Sequence, residues 1–425
     1  MDCDILVIGA GVLGLSSAYH LKERNPGKRV VLIDMFRGPG QGNSGKSNAC
    51  FRNVFASETN FILSDSTIDW FSNLEEEGHD LKLSWIRYLW LYSEAQFGKL
   101  NDAFHSMNRR GVEFKILDGC ELKERIPDLA TEAIEGRGSS IESLEPAEIG
   151  VLGVKCGCLD ADLLCRAYES KFLKLGGEVH YSTRASGLML RAEHPLGISG
   201  EPFVWQKAYI DGAKTSRGAI RAQTTVVAAG AWSEGLLAPI GIDPVMRVKK
   251  RQLFIFKDQR LAGFCNVKGL NDLGILPMTI LPVAGVHFKT EPHEGSCWLG
   301  CADNIGRAFV FEDDPQPEEE YYLNNVYHIL REYFPCFTDV RPVNMWAGLY
   351  EINSFDEIPV VAPYPGMIYV GASSGSGLMK CDALGRIVAA VSIGEREAEL
   401  FGGKQFRSSN LGVHHRSVEK ETFIL

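Results

Sequence analysis

Two periods of hydrophobicity alternate along the chain. Ile5-Leu-Val-Ile8 is an unbroken β-branched and leucine run, the pattern of a strand buried on both faces of a parallel sheet, and Leu15–Glu23 behind it reads as a helix. Arg29-Val-Val-Leu-Ile-Asp34 repeats the buried-strand pattern. A helix is predicted over Asn60–Glu77, and Phe97, Leu100, Phe104 and Met107 recur at helical spacing. Leu159-Asp160-Ala-Asp162 opens a further helix with Asp160 or Asp162 as N-cap; Gly176-Gly177 closes it before strand Glu178–Tyr181. Phe203–Ile210 and Gly218–Thr224 read as an antiparallel meander leading into the buried strand Thr225-Val-Val-Ala-Ala and its turn at Gly230. Between Pro244 and Ala302 the short alternating strands Gln252–Phe256, Gly285–Lys289 and Cys297–Gly300 predict an antiparallel sheet. Asp313–Glu320 is expected as a solvated acidic connector and Tyr322–Phe334 as a helix. Strand Met367–Val370, turn Gly371–Gly377 and helix Asp382–Ile393 follow, and the polar segment after Phe401 is expected to be loose.

Composition narrows the classes. At 425 residues the chain is long enough for two domains. Lys and Arg number 44 against 54 Asp and Glu, a formal charge of 44 − 54 = −10, which argues against a nucleic-acid partner. The 11 cysteines lack the spacing of a disulfide framework or of a zinc or iron–sulfur site, so buried reduced thiols, no metal and a cytoplasmic location are expected. No apolar stretch reaches the ~18–20 residues of a transmembrane segment. The N-terminal apolar run has no basic flank and ends in glycines, so it reads as a first strand rather than a signal sequence.

Those glycines are Gly9-Ala-Gly11-Val12-Leu13-Gly14, between strand and helix, with Asp34 closing the second strand 20 residues after Gly14. The full strand–GxGxxG–helix–strand–acid context predicts a dinucleotide site. Gly9 permits the turn, Gly11 admits the pyrophosphate and Gly14 lets the helix pack on the strand. The helix start at Val12 and Leu13 faces the phosphates, and Asp34 accepts from a ribose hydroxyl. No second GxGxxG stands in the strand–turn–helix order that a nicotinamide site needs, so electrons are expected from an organic substrate rather than from a nicotinamide.

With GAGVLG and Asp34, the segments GNSGKSNACFR (Gly42–Arg52), LDADLL, TTVVAAGAWS, WAGLYEINSFDEIPVV and YVGASSGSGLMKCDALGRI follow in an order that resembles the D-amino-acid-oxidase/sarcosine-oxidase superfamily of FAD-dependent oxidoreductases. Gly42–Arg52 is most similar to the sarcosine oxidase β subunit and archaeal dye-linked L-proline dehydrogenases. The resemblance implies an α/β fold: a Rossmann-like FAD-binding domain, expected over 1–85, 145–232 and 338–400, and an antiparallel-sheet substrate domain over 86–144 and 233–337, with 401–425 as a tail. It also implies that Ser44, Lys46 and Ser47 wrap the pyrophosphate. Gly230, Gly375, Gly377, Leu378 and Met379 then lie against the flavin.

For the substrate carboxylate the resemblance implies Arg52 and Lys380, the latter one residue out of register, so that Met379 competes for the position. Tyr350 falls where the family often has an active-site hydroxyl. His287 falls where monomeric sarcosine oxidases aim a lysine at flavin N5, with Lys289 on the same strand face. No cysteine lies near Gly348, the covalent flavin position of those enzymes, so noncovalent FAD is expected, and the missing lysine favours a dehydrogenase over an oxidase. The expected reaction is oxidation of the C–N bond of a small secondary or N-methyl amino acid such as proline, sarcosine or dimethylglycine. The rivals are a 2-hydroxy-acid or glycerol-phosphate dehydrogenase with His287 as base, and a flavin-bearing assembly subunit. The partners expected are a small carboxylate-bearing substrate and an electron acceptor; the acceptor's identity and homo- or hetero-oligomerisation stay open.

Overall fold

The computed structural model describes residues 2–126, 128–132, 144–283, 285–291, 293–302, 308–414, 416 and 421–423. Two eight-stranded sheets organise them. The first grows around β1 (Asp2–Ile8), α1 (Val12–Arg24) and β2 (Val30–Ile33). Its strand order is Val360–Tyr364, Met367–Gly371, Gly218–Val227, β1, β2, Glu178–His180, and every pairing along it is parallel except the outermost, Val360–Tyr364 with Met367–Gly371. Ile5, Val7, Val30 and Leu32 face a core shared with α1 and the helix Cys381–Ser392, while Leu6, Ile8, Val31 and Ile33 face a second core roofed by the strands Ala185–Ala192 and Ala208–Thr215. Both faces are dry, which is why these strands show no alternation in the sequence.

From this sheet β3 (Cys50–Arg52), α2 (Glu58–Glu76) and β4 (Tyr88–Tyr92) carry the chain across to the second. That sheet runs Asn344–Asn353, Met246–Phe256, Ser296–Cys301, Val286–Glu291, Met278–Ile280, β4, Ile149–Gly153, Phe114–Leu117. Here the alternation is real. Leu89, Leu91, Phe254, Phe256, Phe288 and Leu299 pack with Tyr322, Val326 and Leu330 on the outer side. Tyr88, Trp90, Met278 and Ile280 turn the other way, against Cys50, Val54 and Ala56 of the β3 segment.

The structure revises four expectations. Ile149–Gly153 and Asn344–Asn353 belong by hydrogen bonding to the second sheet, although the expected boundaries put both in the nucleotide-binding part. We place them with the second layer. The meander is formed by Ala185–Ala192, Ala208–Thr215 and Gly218–Val227, and residues 203–207 lie outside it. The acidic connector is not simply solvated: Glu318 pairs with Lys250, which also takes Glu312 just before the connector, and Asp313 pairs with Arg184. The described residues after Phe401 are tied to the fold: Gln405–Arg407 pairs with Glu397–Glu399, and Leu411, Glu421 and Phe423 are buried; the rest of the expected loose tail lies outside the described residues. Among the described residues no helix is long and apolar enough to cross a membrane, and no group of three or more potential metal-ligating side chains occurs.

Candidate active site

A cavity of about 750 Å³ opens at the carboxyl ends of β1, β2 and Gly218–Val227, where ligands of open α/β sheets bind. Its floor is the first glycine turn. Gly9 has φ +113°, and a Cβ there would lie 2.3 Å from Ala228 O; a Cβ on Gly14 would lie 1.9 Å from Gly9 O. The turn is closed so tightly that side chains at these two positions are excluded. Gly11 differs: its absent Cβ faces the cavity, 3.2 Å from Ser44 Oγ. The α1 N-terminus has no acidic residue in its first turn, which leaves its dipole free to favour an anion.

Around this floor the sequence-derived residues come together unevenly. Ser44 Oγ accepts from Val12 N at 3.0 Å, tying the second loop to the helix start. Ser47 lines the cavity and donates to Ser44 O. Lys46 does not line it; its carbonyl accepts from Trp346 Nε1 at 3.0 Å, so Lys46 serves the contact between the loop and the second sheet. Asp34 is at the wall, but its carboxylate already accepts from Ala10 N and Phe36 N, and burial pushes its pKa up. Val12, Leu13, Gly230, Gly375, Gly377 and Leu378 line the same cavity. Met379 does not: it points into the core shared with α1, and the next residue, Lys380, turns toward β3 and α2. Thr183–Ser186, Asn43 and Glu351, none of them singled out in the sequence, complete the wall. Asn43 Oδ1 accepts from Leu349 N, and Glu351 accepts from Ser373 Oγ at 2.9 Å. The second carboxylate oxygen of Glu351 is buried and without a partner among the described residues. A dinucleotide with its hydroxyls and pyrophosphate fits this donor and acceptor set.

Tyr350 stands where the cavity meets the second sheet. Its ring is stacked against the Gly375 turn and lies under the Arg251 guanidinium, 5.7 Å away. The two candidate cations are both off the cavity wall. Arg52 is buried on β3, with Nη1 donating to Val54 O and, at 3.2 Å, to Phe423 O. Its guanidinium lies 4.0 Å over Phe55 and 5.4 Å from Trp90. A fully free fork is therefore not what the fold presents, since one nitrogen is held by carbonyls. Lys380 is 1% exposed, with Nζ 2.6 Å from both Asn60 Oδ1 and Ser376 Oγ. Burial, then the charge of Arg52, brings its pKa down to about 7.

His287 and Lys289 do share a strand face but diverge in partner. His287 binds Gly285 O through Nδ1, and burial brings its pKa down to about 4. Lys289 pairs with Glu291 at 2.9 Å and lies 4.4 Å over Trp298. Neither lines the cavity.

Known proteins share this architecture. Across 420 residues the chain is 22% identical to "FAD-dependent oxidoreductase domain-containing protein 1" of Xenopus laevis, covering 92% of this chain and 79% of that one. It is 26% identical to the glycine oxidase of Pseudomonas aeruginosa over 92% of this chain and 94% of the other. The crystal structure of L-proline dehydrogenase from P. horikoshii superposes with a TM-score of 0.74 at 21% identity, covering 93% of this chain and 94% of that one. The sequence profile of the DAO family, described as FAD dependent oxidoreductase, matches residues 4–391. The chain belongs to this family of oxidoreductases, and its cofactor is FAD.

Proposed function

We propose that the protein oxidises the C–N bond of a small secondary or N-methyl amino acid, such as proline, sarcosine or dimethylglycine, to an imine that water then hydrolyses. The observation that carries this reading is the pair Arg52 and Lys380. Two buried cations, one of them bonded to Ser376 within the Gly375–Gly377 turn of the wall, lie close enough that the charge of Arg52 lowers the proton affinity of Lys380. Glu421 and Asp356 face these charges from the protein side, and in this reading an amino-acid carboxylate is the further anion that the two cations bind. The glycine oxidase and the L-proline dehydrogenase named above support a small amino acid as the substrate, and the second of them a secondary one. FAD, when bound, supplies the two-electron acceptor; the chain supplies orientation and exclusion of water.

In this reading Arg52 and Lys380 fix the carboxylate, the aromatic face of Tyr350 and Trp90 shapes the side-chain space, and the substrate nitrogen is held toward the cavity. The hydroxy-acid alternative needs a base matched to neutral pH. His287 is a poor one, since its pKa is near 4 and its Nδ1 is engaged by Gly285 O. The absence of a lysine at position 287 favours a dehydrogenase, with an acceptor other than oxygen. An anaerobic screen of amino and hydroxy acids, followed by flavin bleaching, tests the reading. Bleaching by proline, sarcosine or dimethylglycine is expected; bleaching by hydroxy acids alone, or by nothing, overturns it.

A further inference from the structure

The carboxylate of Glu421 collects five hydrogen bonds. It accepts from Ala56 N at 2.9 Å, Ser57 N at 3.1 Å, Ser57 Oγ at 2.7 Å, Asn60 Nδ2 at 3.3 Å and Phe423 N at 2.9 Å. The first four donors belong to the start of α2, whose N-cap Ser57 makes no side-chain cap of its own. Two of these contacts lead to the substrate cations. Asn60, which donates to Glu421, presents its Oδ1 to Lys380 Nζ; Phe423, two residues on, presents its carbonyl to Arg52. The Phe423 ring is fully buried and fixes the segment against Trp90 at 4.9 Å between centroids. One short segment, more than 360 residues from β3 in sequence, thus reaches both cations.

We propose that Glu421–Phe423 is the positioning element of the carboxylate subsite, with Glu421 fixing the reach and the charge state of Lys380 and Phe423 fixing the orientation of Arg52. The inference rests on the function proposed above. Glu421 is held in its charged form, because Arg52 and the backbone and hydroxyl donors keep its pKa below the usual carboxylate range in spite of burial. The charged groups facing Lys380 are Arg52 of β3, Glu421 and Asp356 of the loop after Asn344–Asn353; Arg52 disfavours its proton and the two acids favour it. Asn60 amide geometry also follows: with Nδ2 on a carboxylate, Oδ1 is left as the acceptor for an ammonium.

Glu421→Gln tests this on the holoenzyme. We expect unchanged flavin content and nearly unchanged kcat. KM for the amino-acid substrate should rise by roughly tenfold, the loss of about one charge-assisted hydrogen bond, and its rise with pH should begin at lower pH than in the wild type. The corresponding amino-acid amide, which has no carboxylate, should show no such change. A KM and pH profile that stay at wild-type values reduce Glu421 to a cap on α2 and overturn the proposal. A KM that falls shows that the segment competes with substrate, and overturns it too. Should Glu421→Gln fail to fold, Glu421→Asp keeps the charge but shortens the reach to Ser57 and Asn60, and a wild-type KM in that variant is equally fatal. Acetate binding, read from the flavin absorption spectrum, reports on the subsite without turnover. If wild-type flavin is bleached by no amino acid, the proposed function fails while acetate affinity still distinguishes the variants.

Discussion

Gly375 and Tyr350 meet so closely that a Cβ on the glycine would lie 2.3 Å from the tyrosine ring, and Gly375 adopts φ +77°. The turn and the ring share one space, so the second sheet reaches the cavity only because this residue has no side chain. Gly375→Ala should push Tyr350 off the turn and add backbone strain of about 1 kcal/mol. We expect turnover to fall by at least tenfold while flavin content falls less; equal loss of both would place the defect in cofactor binding.

Gly11→Val should abolish FAD binding. Its added atoms would enter the cavity beside Ser44 Oγ, 3.2 Å from the position of the first of them, and displace the hydroxyl that holds Val12 N. The apoprotein should keep its secondary structure. Normal flavin content by absorbance after purification refutes the assignment of this turn to the pyrophosphate.

No cysteine is among the residues that line the cavity. Acid precipitation is expected to leave colourless protein and to release intact FAD, identified by mass. Colour retained in the pellet would contradict noncovalent binding.

Lys380 gives a pH signature. Its pKa of about 7 lies below that of an unfolded lysine, so the cation is present in the native state only below that pH. KM for an anionic-carboxylate substrate should therefore rise as pH passes upward through about 7, and Lys380→Met should raise KM and flatten that profile. Stability runs the opposite way. Between about 7 and the ordinary lysine range the unfolded chain binds the extra proton, so unfolding free energy increases with pH in that window and Lys380→Met removes the increase. Denaturant melts at several pH values measure it.

Arg52→Met should lower kcat/KM by roughly 30- to 150-fold, the equivalent of about 2–3 kcal/mol for a charge-assisted contact. Because Arg52 is buried on the carbonyls of Val54 and Phe423, a loss of thermal stability should accompany it. Arg52→Lys should be intermediate in both. Loss of flavin with normal turnover in the remaining holoenzyme would move Arg52 to the cofactor site.

The parts of the molecule legible in the sequence are those built from neighbours. Gly9–Gly14 with Asp34, the runs buried in β1 and β2, and the Gly371–Gly377 turn each carry their constraint within a few tens of residues. Asn60 and Glu421 are invisible there for the opposite reason: they meet across 361 residues, and a polar side chain on a helix or in a polar tail has no local period. Ile149–Gly153 and Asn344–Asn353 are expected in the wrong layer because a strand pattern states that a strand forms and not which partner it takes. Lys46 falls beside true cavity residues in one loop, and only the fold separates the carbonyl that serves Trp346 from the hydroxyls that face inward.

The strand orders of the two sheets bear on how the chain comes to fold. Each sheet joins strands from distant parts of the sequence: the first spans Asp2 to Gly371, the second Tyr88 to Asn353. Such non-local pairing is slow, because long loops must close before any pairing stabilises them. A nascent chain that has made the glycine turn must wait for more than 300 further residues before Gly375 and Tyr350 exist to complete the wall. Capture of FAD is therefore expected as a late event in refolding, with quenching of flavin fluorescence lagging behind the recovery of helix and strand, and simultaneous recovery would show an earlier cradle. Until that step the half-built sheets expose long apolar strand edges, so flavin supply and chaperone occupancy, rather than the stability of the finished fold, would govern how much protein survives synthesis.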